Sequence, residues 1–133
     1  MITEDYVSFE TAKLLREKGF DGQCLGMYTK NGDLLKTNFK RITNSEKREF
    51  PIDAPTLQTA MKWLREVHNI HINLDIHWLH FANQNGWMYI ITKILENGTD
   101  YVDSKGDEND KHFYPTYEQA CEAAIRCCLE NLI

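Results

Sequence analysis

No apolar run in this chain approaches the roughly 18–20 residues that a membrane-spanning helix requires. The opening stretch MITEDYVSFET is acidic, without the basic start and apolar centre of a secretion signal, so a cytoplasmic setting is expected. Basic residues are scarce in the second half. Residues 67–133 hold four Lys and Arg against ten Asp and Glu, whereas residues 1–66 hold eleven against ten. With a net charge of −5, and Lys36, Lys40, Arg41, Lys47 and Arg48 diluted by Glu46 and Glu49, the pattern argues against a nucleic-acid surface. The four cysteines (Cys24, Cys121, Cys127, Cys128) lack the spacing of a disulfide framework, and adjacent Cys127 and Cys128 lack the spacer of a redox or zinc motif. They are expected to be reduced. There is no phosphate-cradling glycine loop, no nucleophile elbow and no HExxH. The acids Asp100, Asp103, Asp107, Glu108 and Asp110 never fall in the ligand order of a calcium loop.

What is present is ordinary material for one globular domain. The chain has 133 residues, near the commonest domain size, and needs no disulfide or metal to fold. Ser8 can cap a helix running to about Lys18, with Phe9, Ala12 and Leu15 on one face, Gly19 at the left-handed C′ position and Phe20 folding back. CLGMYTKNGDLLKTNF reads as a hairpin, Cys24–Thr29 and Asp33–Phe39, with Asn31-Gly32 in a type I′ turn. Residues 36–53 form a polar loop. Pro55 in the first helical turn, with Ala54 at the cap, starts a second helix whose stripe is Leu57, Ala60, Met61, Leu64 and Val67; Asn69 closes it in the αL conformation.

Period-two alternation follows. Ile70, Ile72, Leu74, Ile76 and Trp78 point one way, and His71, Asn73, Asp75 and His77 the other. This predicts burial of Ile72, Leu74 and Ile76 and exposure of Asn73 and Asp75. NQNG at 83–86 turns the chain into WMYIITKIL, and 96–114 is an acidic loop broken by a short strand near Tyr101. Thr116 and Gln119 form a capping box for a last helix, whose stripe of Tyr117, Cys121, Ile125, Cys128, Leu129 and Leu132 needs the sheet as cover. The expected fold is a single α+β domain over 1–133, in the order α-ββ-α-ββ-α, with a largely antiparallel sheet and helices packed on one face.

HNIHINLDIHWLH, residues 68–80, holds four of the five histidines. On an extended strand His71 and His77 lie roughly 20 Å apart, too far for one metal ion. A two-residue turn at Asn85-Gly86 would set Glu96 opposite Asp75, making Asp75, His77 and Glu96 the single candidate set for a divalent metal. A one-residue slip removes Glu96 from that face. The expectation is therefore a solvated polar face, with no catalytic, cofactor-binding or metal-binding residue assigned.

YVSFETAKLLREKGF resembles the first helix of an excisionase-like helix-turn-helix, but such a motif needs a second helix within a few residues, where DGQCLGMY reads as a strand. VSFETAKLLREKGFD, APTLQTAMKWLREVHNIHI and YPTYEQACEAAIRCCLENLI resemble three blocks shared by short proteins, without known activity, of gut anaerobes and their phages and prophages. The blocks span about 54 residues, mainly the three helices. The resemblance implies a mobile-element setting, cytoplasmic life and a compact α+β fold, and carries no catalytic residue onto this chain.

Trp63, Trp78, Trp87 and Tyr89 are more aromatics than one helix layer needs. Some are expected to form a surface for self-association or for a protein partner. The functional expectation is a small non-enzymatic accessory or interaction protein; its alternatives are a nucleic-acid-binding regulator and a metal-dependent enzyme.

Overall fold

A computed structural model describes residues 2–41, 44, 48–106 and 113–133. The elements are α1 (Phe9–Glu17), β1 (Cys24–Tyr28), β2 (Leu34–Arg41), β3 (Ile52–Ala54), α2 (Leu57–His68), β4 (Ile70–Leu79), β5 (Gln84–Leu95), β6 (Gly98–Lys105) and α3 (Tyr117–Asn131). They form an α+β domain with two antiparallel three-stranded sheets, ordered β2-β1-β3 and β4-β5-β6, and helices packed against them. The first sheet has one strand more than the expected pair, and the short strand expected near Tyr101 is the eight-residue β6 of the second. β2 and β3 take up both ends of the expected 36–53 loop, and β6 takes up much of the expected 96–114 loop. β3 hides because it is three residues long with a buried acid at its centre. The carboxylate of Asp53 accepts the Asn44 N–H at 3.1 Å, and the Asn44 side chain accepts the Asp53 N–H at 3.1 Å. β6 is longer than the short strand expected near Tyr101, because GTDYVDSK is polar, as suits a strand lying largely in solvent. Lys47, Asp107, Glu108 and Asp110 lie outside the described residues.

The helix ends follow from their side chains. Ser8 caps α1 by accepting the Thr11 N–H at 3.2 Å. Gly19, at φ 89°, and Phe20 close it, with the Phe20 N–H on the Leu15 carbonyl at 2.9 Å. α2 is capped by Thr56, not by Ala54. The Thr56 hydroxyl accepts the Thr59 N–H at 3.2 Å, whereas Ala54 has no side-chain acceptor and belongs to β3. Asn69 ends α2 at φ 56°. Thr116 caps α3, accepting the Gln119 N–H at 3.1 Å. Along α3, Ala120, Cys121, Ala124, Ile125, Cys128 and Leu129 are fully buried, so the expected stripe is the floor of the core.

Both turns differ from expectation. Between β1 and β2 only Gly32 has positive φ, at 82°. The Thr29 N–H bonds the Asp33 carbonyl at 3.0 Å and the Gly32 N–H bonds the Thr29 carbonyl at 2.9 Å, a three-residue loop ending in a glycine bulge rather than a type I′ pair. Between β4 and β5 the loop is His80–Asn83, with Asn83 at φ 50°, and Gln84, Asn85 and Gly86 belong to β5. Gly86 serves close packing. A β-carbon there would lie 2.4 Å from Cδ1 of the buried Leu79.

This turn sets an unbroken register of ten pairs, from Ile70↔Lys93 to Leu79↔Gln84. The helix layer covers only the first half of β4. Ile70 and Ile72 are 2% and 7% exposed, but on the same face Ile76 is 52% and Trp78 47% exposed. Burial of Ile76 is thus not observed, and Asp75 is partly buried instead of exposed. Trp63 and Tyr89 are core residues. Trp63 meets Phe20 edge-on at 5.5 Å, and Trp87, partly buried, meets Tyr117 at 5.3 Å.

Candidate interaction surface

The register separates the expected metal set. Asp75 pairs with Met88 and His77 with Gly86, while Glu96 stands in the turn after β5. Eight residues along β5 separate Met88 from Glu96, which is about 26 Å of extended strand. Asp75 instead accepts a hydrogen bond from the Asn73 amide at 3.1 Å. His71, His77 and His80 are exposed. His68 packs edge-on against Trp63 at 4.7 Å, its buried Nε2 without a hydrogen-bond partner among the described residues. Among these residues no three His, Cys, Asp or Glu side chains converge as a metal site would need.

The thiols have two settings. Cys24, Cys121 and Cys128 are free and buried, and burial pushes each thiol up to about 12, so they stay protonated and unreactive at neutral pH. Cys127 is partly exposed, with its Sγ 3.9 Å from Asp103 Oδ2. Where α1 meets α3, Glu122 accepts hydrogen bonds from the Ser8 N–H and from the hydroxyls of Ser8 and Thr11. That carboxylate ties the start of α1 to α3. An open groove of about 730 Å³ adjoins it, lined by Tyr6, Leu57 and Tyr114 together with the charged Lys36, Glu118 and Arg126.

The least ordinary feature is the outer edge of β4. Two bonds fix the direction of its backbone groups. The Ile94 N–H bonds the Asn69 carbonyl at 2.7 Å, so Asn69 and Ile94 form a hydrogen-bonded pair, and alternation makes His71, Asn73, Asp75 and His77 the residues that bond β5. Consistently, the Trp87 N–H turns the other way, to the Tyr114 carbonyl at 2.8 Å. The N–H and C=O groups of Ile70, Ile72, Leu74, Ile76 and Trp78 therefore point away from β5, those of Ile70 under cover and those from Leu74 onward toward the open side, and among the described residues β5 is the only strand pairing with β4.

Edge strands are normally blunted by lysine, proline, bulges or shortness. β4 has none of these: ten residues, no register break, and Asp75 as its single charge. Beyond it, Phe81 is 52% exposed and packs edge-on against Phe113 at 5.9 Å. Of the expected association aromatics, Trp78 alone is both exposed and beside this edge. Comparison with protein-family models, with curated proteins and with solved structures finds no match to this chain. Among the described residues no helix is long and apolar enough to cross a membrane.

Proposed function

We propose that this protein is a non-enzymatic interaction module that takes up an extended protein strand along the free edge of β4. The observation that carries this reading is the undefended edge itself: ten paired residues without lysine, proline or bulge, with Ile76 and Trp78 exposed in its second half. Strand addition supplies main-chain hydrogen bonds for affinity and alternate side chains for selectivity. Each such bond contributes about 0.5–1.5 kcal/mol net, so a few bonds together with apolar burial suffice for a reversible complex. An accessory role in a phage or other mobile element agrees with the resemblance of the three helical blocks.

A photo-reactive benzoyl-phenylalanine in place of Trp78 tests the reading in cells making the full chain. The expected result is a discrete cross-linked protein species, identified by mass spectrometry, that disappears when Ile76→Lys is added. Absence of any discrete species, or one unaffected by Ile76→Lys, would overturn it.

A further inference from the structure

Resting on that reading, we infer that the strand received by β4 is β4 of a second copy, antiparallel, with Leu74 on the twofold axis. The stretch Ile70–Trp78 mirrors itself about Leu74: Ile72 answers Ile76, Asn73 answers Asp75, His71 answers His77, and Ile70 answers Trp78. A strand that meets its own image antiparallel sets each residue opposite its mirror position, which is the requirement of a twofold, self-complementary interface. The register about Leu74 also satisfies the backbone. The outward groups belong to the even-numbered residues, and this register pairs even with even, so Leu74 bonds its own copy while Ile72 bonds Ile76 on either side of the axis; Ile70, 2% exposed, closes the paired stretch.

The side chains agree on both faces. On the helix side, apolar residues meet only apolar residues. The bare half of each β4, Ile76 and Trp78, lands beside the helix-covered half of the other, Ile72 and Ile70, so each copy extends cover over what its partner leaves exposed. On the other face, Asn73 lies opposite Asp75 twice, an amide donor against a carboxylate acceptor. Within one copy Asn73 already donates to Asp75 at 3.1 Å, so the geometry needs one further bond across the axis. Moving the axis to Asp75 would set two like charges face to face, and that register is disfavoured. The product is a continuous six-stranded sheet, β6-β5-β4-β4-β5-β6, with no free β4 edge.

Sedimentation of the unaltered chain tests the stoichiometry. A dimer forming in the micromolar range is expected, with Ile76→Lys weakening it by about tenfold or more because two cations enter an apolar row. Disulfide trapping tests the register in a Cys127→Ser background. Asn73→Cys mixed with Asp75→Cys should cross-link under mild oxidant, since their α-carbons would lie about 4.5 Å apart in a non-hydrogen-bonded pair. Either variant alone should not, because its own cysteines would be about 8 Å apart across the axis, beyond disulfide reach. A chain that stays monomeric, or homotypic cross-linking of Asn73→Cys, overturns the inference. A photo-cross-link from position 78 to a different protein alongside a monomeric chain would overturn self-pairing while leaving the interaction reading standing; loss of every discrete photo-cross-link would overturn both.

Discussion

The two edges of the β4-β5-β6 sheet are built from opposite materials. β6 carries Asp100, Asp103 and Lys105, and its pairing with β5 is interrupted between Ile91 and Thr92. β4 runs ten residues without interruption and has one charge. Both strands share β5, so the difference is one of composition and register. A charged, bulged edge resists pairing with a further strand, and a flat apolar one invites it. The contrast continues inside β4, where the first half lies under the helices and the second half is bare although the residue types on that face do not change.

The sharpest way to break this contrast is to remove the helix cover. Ile125→Asp puts an unpaired charge at a fully buried site of α3, and unfolding of the domain is expected, a loss above about 4 kcal/mol by denaturant titration. Next comes the comparison along β4. Ile72→Ala should destabilise by roughly 2–4 kcal/mol, whereas Ile76→Ala in dilute solution should cost under about 1 kcal/mol, since half of that side chain already meets water. Equal losses would contradict the half-covered strand. Smaller again is the contrast between Gly86 within β5 and Gly98 at the start of β6. Gly86→Ala must displace Leu79 and should cost about 1–3 kcal/mol, while Gly98→Ala, with open space around it, should be nearly neutral.

The smallest effect on stability is a chemical one. In the folded protein Cys127 should react with a thiol reagent in preference to Cys24, Cys121 and Cys128. Raising the pH toward 9 should not speed the buried three, whose thiols titrate only near 12. The sign for stability follows. The unfolded thiols release protons near 9.0 and the folded ones near 12, so this contribution is fully present below about 9 and is lost as pH climbs between those values. Rapid modification of all four thiols in folded protein would show that the α3 core is not closed.

Much of the fold was legible in the sequence because local chemistry dictates it. Ser8, Thr116, Gly19 and Asn69 are cap residues used as caps, and the apolar periods of α2, β4 and α3 sit where the backbone repeats them, except that Val67 at the end of the α2 stripe is exposed and Trp63 is buried in its place. What escaped depends on tertiary context. Gly86 looks like a turn glycine, but it is needed where Leu79 packs, and that single choice moved the turn and dispersed Asp75, His77 and Glu96. Alternation placed Ile76 with Ile72 correctly, yet it cannot say where the helix layer ends. The mirror pattern about Leu74 is written in the sequence as well, but it acquires meaning only once β4 is an edge.

The central claim, that the outer edge of β4 is free in one chain and filled in the complex, rests on the alternation of its amides. Residue-resolved amide hydrogen exchange at low and high protein concentration measures this directly. In dilute protein the amides of Leu74, Ile76 and Trp78 should exchange rapidly while those of Asn73, Asp75 and His77 are protected by β5, and at high concentration both sets should be protected. Protection of Leu74, Ile76 and Trp78 already in the monomer, or their rapid exchange at every concentration, would contradict the account.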